Sequence, residues 1–116
     1  MSEEDFIEEL RRRWPREASQ DVVLETLALA DEATRAFPRS APLWVMRGDL
    51  IQLGPKSTPH PLLEALASYQ RAIEIDPKFA SAWEEMAHFH SGVLDDEATA
   101  QKYFLEAKRL RRFGSN

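Results

Sequence analysis

Three histidines are the side chains of this chain best suited to bind a metal ion or move a proton: His60, His88 and His90. Their spacing argues against both roles. Two residues apart on a helix diverge by roughly 200°, so His88 and His90 face opposite ways, whereas helix ligands need i,i+3 or i,i+4 spacing. His60 lies in a proline-rich stretch away from either. Packing is the expected role of His90, and a surface position that of His88. Adjacent carboxylates occur at Glu3-Glu4, Glu84-Glu85 and Asp95-Asp96. Neighbours on a helix point in different directions, and acid–base catalysis needs two groups converging on one pocket. Capping and solubility account for them. Two basic runs, Arg11–Arg13 with Arg16 and Lys108–Arg112, fall at expected helix C-termini, where positive charge is stabilising. Binding of phosphate or an acidic partner is the alternative there, because Trp14 interleaves the first run and could stack on a base. There are only four glycines and no phosphate-cradling loop, nucleophile elbow or His–Ser–Asp order. No catalytic residue, metal site or cofactor is expected.

The 20 acidic and 15 basic residues leave a net charge of −5, spread through both halves. That balance disfavours nucleic acid and anionic membrane as partners, since both demand a basic surface. No cysteine is present, which excludes disulfides and thiolate chemistry. The first ten residues, MSEEDFIEEL, are acidic and do not read as a secretory signal; no apolar run approaches 18 residues. A cytoplasmic location is the expectation, and the final GSN has the look of a trimmed end. A length of 116 residues fits one domain.

The elements that must position any site are helices. Ser2 with Asp5 forms a capping-box pattern that opens a helix running to about Arg13, with Phe6, Ile7, Leu10 and Trp14 on one face. Ser19 is placed to cap a second helix ending near Phe37. A third starts near Pro42 and ends near Leu53 before Gly54-Pro55. A fourth spans Pro61–Ile75. A fifth runs from Ala80 to Ser91 with Gly92 closing it, and a sixth, capped by Asp95 or Asp96, ends near Arg112. No segment alternates as a strand would.

Residues 30–44 and 69–83 are related by a shift of 39: Ala33, Pro38, Ala41 and Trp44 recur as Ala72, Pro77, Ala80 and Trp83. Each copy joins the end of one helix to the start of the next. Proline stops the first helix, alanines permit close approach, and the tryptophan anchors the second helix in the core. Residues Ala65, Tyr69, Ala72 and Pro77, with Trp44, Gly48 and Ile51, Trp83, Met86, Ala87 and His90, and Ala100, Phe104 and Ala107, make the chain resemble the tetratricopeptide repeat family. Arg47 departs from that pattern at an apolar position, and the loop LGPKSTPHP lengthens the middle unit.

The resemblance implies an all-α fold: a right-handed superhelical stack of about three antiparallel helix pairs, with units near 3–37, 41–76 and 80–112. It implies a non-enzymatic module binding a peptide or protein partner in a concave groove lined by the first helix of each pair. Rotating away from the tryptophans selects Val45, Asp49 and Gln52 on the third helix and Glu84, His88 and Ser91 on the fifth. These groove residues suit a basic or mixed apolar segment, and His88 beside Glu84 suggests binding that varies with pH. The alternative is a structural role, in which the stack self-associates as a homodimer or docks in a larger assembly through its helix ends. Leu105, off the Phe104–Ala107 seam, is the expected contact.

Overall fold

The computed structural model describes residues 1–16, 20–54 and 60–113, with the side chains of residues 20 and 21 left aside. It contains α1 (Glu3–Arg12), α2 (Gln20–Ala36), α3 (Ala41–Leu53), α4 (Leu63–Ile75), α5 (Ala80–Gly92) and α6 (Glu97–Phe113). No strand occurs among the described residues.

The helix ends follow local chemistry. The Ser2 hydroxyl accepts from the Asp5 amide at 3.1 Å while the Asp5 carboxylate accepts from the Ser2 amide at 2.9 Å, closing the capping box. These bonds hold the Asp5 carboxyl below its usual range. Ser40 rather than Pro42 begins α3: its hydroxyl accepts from the Leu43 amide at 3.4 Å and donates to Glu3 at 2.7 Å, tying α1 to α3. Helix α4 starts at Leu63, two residues later than expected from Pro61. The amides of Glu64 and Ala65 bond three residues back, to Pro61 and Leu62, so the chain makes a tighter turn before the α pattern sets in. Asp96 is the α6 cap. It accepts from the Thr99 amide at 3.2 Å, while Asp95 takes a left-handed backbone, φ 52°. The cap expected at Ser19 and most of the loop before His60 lie outside the described residues.

Each helix packs on its neighbours in the chain, most closely α5 on α6 and α3 on α4. Helix α3 also touches both α1 and α5, so the odd-numbered helices form one layer, while no two even-numbered helices meet among the described residues. The core runs through this arrangement without a break: Phe6, Leu10, Leu27, Leu43, Leu50, Tyr69, Met86 and Phe89 are all buried in one cluster. The repeated alanines Ala33, Ala41, Ala72 and Ala80 are at most 4% exposed, as close helix approach requires.

The two repeated tryptophans depart from expectation. Both are half-buried at the joints rather than enclosed in the core. An indole N–H needs a partner, and each finds the carbonyl of the repeat's own proline: Trp44 Nε1 donates to Pro38 at 2.9 Å and Trp83 Nε1 to Pro77 at 2.8 Å. The sequence repeat is thus also a repeated hydrogen bond.

Candidate functional site

The layer formed by α1, α3 and α5 carries the most unusual electrostatics of the molecule. Tyr69, fully buried on α4, reaches through to it and donates its hydroxyl to Asp49 Oδ1 on α3 at 2.6 Å; Gln52 Nε2 donates to the same hydroxyl oxygen at 2.6 Å. Burial and a hydrogen bond with Glu85 on α5 push the Asp49 carboxyl up to about 8, opposed by the Tyr69 bond and by the charge of His88. Asp49 therefore holds its proton more tightly than an ordinary carboxyl, because a second carboxyl beside it in a partly dry site makes its ionisation costly. Burial, followed by the Asp49 charge, holds the Tyr69 phenol above its ordinary range. An open cleft of about 470 Å³ adjoins Asp49, lined also by Arg11, Trp14, Arg16 and Met46. Trp14 packs against the core with one side and lines this cleft with the other.

The six residues selected from the sequence divide into three groups. Asp49 and Gln52 meet at Tyr69, with His88 acting on Asp49 through its charge. Val45 is 7% exposed and belongs to the core, because α3 has neighbours on nearly every side. Glu84 and Ser91 turn toward α6: Glu84 pairs with Arg111, and Ser91 donates to Glu97. Glu84 is engaged by Arg111, and the His88 ring sits edge-on against Phe104 with centroids 5.0 Å apart. Tyr69 and Glu85 are the additions that geometry makes to the set. Tyr69 was visible as a repeat position. Glu85 carried no signal beyond its place one residue after Glu84.

The other histidines have separate environments. His90 stacks on Tyr103 at 5.2 Å, with its Nδ1 buried and without a hydrogen-bond partner. His60 joins Asp31 at 2.7 Å and Glu64 at 2.6 Å. Arg47, the departure from the repeat pattern, completes that network: it donates to Asp31 at 2.9 Å, Ser68 at 2.6 Å and Glu64 at 3.2 Å, and lies over the Trp44 ring. This cluster bridges α2, α3 and α4 through side-chain hydrogen bonds, as a structural network would. Among the described residues no group of three or more His, Cys, Asp or Glu is placed to hold a metal ion, and no helix is long and apolar enough to cross a membrane.

No protein-family model, curated protein or solved structure matches this chain.

Proposed function

We propose that the chain is a non-enzymatic protein-interaction module of the tetratricopeptide kind. In this reading the six helices are three antiparallel pairs in a right-handed superhelical stack, and the α1–α3–α5 layer is its concave, ligand-binding face. The sequential packing, the contact of α3 with both α1 and α5, and the duplicated Trp–Pro hydrogen bond support it. A cytoplasmic location goes with it.

The observation that carries the function is the acidic pair Asp49–Glu85 beside an open cleft lined by Trp14 and Met46, with Arg11 and Arg16 also on its wall. The Asp49 carboxyl, raised by burial and by its hydrogen bond with Glu85, offers a lysine or arginine head group a site that releases a proton on binding. The indole and thioether offer apolar contact beside it. The ligand is accordingly a peptide segment pairing a cation with an apolar residue, not a nucleic acid or membrane surface. The test is isothermal titration of short peptides containing Lys-Leu or Arg-Leu, in buffers of different ionisation heat. The reading expects binding with proton release near neutral pH, abolished by Glu85→Lys. Equal binding of Glu-Leu peptides, or binding unchanged by Glu85→Lys, contradicts it.

Self-association through the helix ends is the second reading, favoured by Leu105 and Phe113, which are 65% and 75% exposed on α6. Lys108, Arg109 and Arg112 surround both residues, so a symmetric α6–α6 contact sets like charges against each other.

A further inference from the structure

The sequence repeat, laid onto the structure, identifies a helix position beside α5 and α6 that no described helix fills. Helices α3 and α5 correspond by a shift of 39 residues, and α4 and α6 by a shift of 35, which aligns Ala65, Tyr69 and Ala72 with Ala100, Phe104 and Ala107. In the middle pair Val45, Tyr69 and Ala72 are buried and Ile73 packs on the core. What covers this side of α3 and α4 is α5, with Phe89 set edge-on to Tyr69 at 6.5 Å. In the last pair the corresponding residues are Glu84, Phe104, Ala107 and Lys108. With Arg111 and Arg112 they line an open, mostly apolar slot of about 630 Å³ between α5 and α6. The surface that α5 covers on the middle pair is therefore covered by no described helix on the α5–α6 pair.

The chemistry of the slot says what kind of helix fits. Its floor is the Phe104 ring and the Ala107 methyl group, and the exposed Leu105 and Phe113 line an adjoining groove that shares Lys108 and Arg112 with it. Its rim is cationic. Arg111 neutralises Glu84, and Arg109 pairs with Glu106, but Lys108 and Arg112 have no ion-pair partner among the described residues. The middle pair carries Ile73 and Pro77 where Lys108 and Arg112 stand, so the end differs from the interior by added positive charge. We infer that this slot is a second docking surface, independent of the α1–α3–α5 face, for an amphipathic helix of another protein with an aliphatic stripe and acidic flanks. A helix the length of α5, 13 residues, would be about 20 Å long. A second copy of the chain fits less well. Symmetric pairing opposes the cations, and the outer face of α1 matches the charge with Glu4, Asp5 and Glu8 but brings little besides Met1 to cover the apolar floor.

The test uses the full chain and two helical peptides of about 15 residues, each with leucine at i, i+3, i+4 and i+7, one flanked by glutamate and one by lysine. Amide NMR titrations report both affinity and place. The expected result is saturable binding of the glutamate peptide, at least about tenfold tighter than the lysine peptide, with shifts centred on Phe104, Lys108 and Arg112. The Lys108→Glu, Arg112→Glu variant alters two exposed side chains and retains the fold, checked by circular dichroism; it should reverse the preference. A Leu105→Ser, Phe113→Ser variant should weaken both peptides. Absence of binding, equal affinity for the two peptides, or shifts confined to α1 and α3 would overturn the inference, and the rim charges would then serve only to solvate the chain's end. So would sedimentation showing a concentration-dependent oligomer that dissociates in the charge-reversed variant, since the slot would then belong to a second copy.

Discussion

Adding a single methyl group at Gly48 tests the packing that sets the Tyr69–Asp49 geometry. A Cβ built there would lie 2.5 Å from Tyr69 Cε1 and 2.8 Å from Cζ, where ordinary contact begins near 3.4 Å. The ring has to retreat by roughly 1 Å, and little allows it to. Tyr69 is fully buried, Phe89 packs on it, and its hydroxyl is held between Asp49 and Gln52 at 2.6 Å each. Overpacking of this kind costs about 1–3 kcal/mol, and loosening the two hydrogen bonds adds roughly 1 kcal/mol. Alanine returns about 1 kcal/mol through its better helix propensity. The net expectation for Gly48→Ala is a loss of about 2 kcal/mol, or a fall of about 8 °C in Tm for a domain of this size. Thermal and urea unfolding followed at 222 nm measure it. In a Tyr69→Leu background, where the ring is absent, the same substitution should be neutral or stabilising by up to about 1 kcal/mol. A single Gly48→Ala variant as stable as the parent, or more so, would refute the reasoning, because the ring would then not be fixed where the carboxyl pair needs it.

Other perturbations have equally definite outcomes. The Asp49 carboxyl is raised to about 8, so the native state binds a proton that the unfolded chain, with the ordinary aspartate value of 3.8, releases. Stability from this group is therefore full below about pH 4 and is lost as pH rises toward 8. In urea titrations across that window Asp49→Asn should remove the decline. Arg47→Leu restores the apolar residue of the repeat pattern, yet it leaves the Asp31 and Glu64 carboxylates without their guanidinium; a loss of about 2 kcal/mol in urea unfolding is expected rather than a gain. Trp83→Phe keeps the ring but loses the bond to the Pro77 carbonyl, and should lower stability by about 1 kcal/mol.

The joints between helices were legible because they rest on local chemistry. Pro38 and Pro77 stop helices whatever surrounds them, alanine permits close packing, and Ser2 with Asp5 caps through its own neighbours. The face that each helix turns toward a partner was less legible, because it depends on what else packs there. Val45 and Glu84 hold the same repeat position, yet Val45 is buried among the neighbours of α3 while Glu84 faces an open slot that no described helix covers. The tryptophans illustrate the same point: their apolar bulk suggested the core, but the indole N–H required a carbonyl, and the proline joint supplied it. Arg47 looked like a flaw in the pattern until Asp31 and Glu64, 16 residues before it and 17 after it, were brought alongside. The Asp49–Glu85 pair is a tertiary meeting of two helices, with no mark in either local sequence.

The central claim is that the α1–α3–α5 face binds a peptide carrying a cation and an apolar residue. The most direct measurement is selection of a random peptide library in parallel on the native chain and on a folded Met46→Glu, Glu85→Lys variant, with the enriched peptides mapped by NMR. The account predicts peptides rich in Lys or Arg beside an apolar residue, enriched on the native chain alone and shifting the Trp14 indole and the Asp49 and Gln52 amides. Equal enrichment on both proteins, or peptides without a cation, would contradict it.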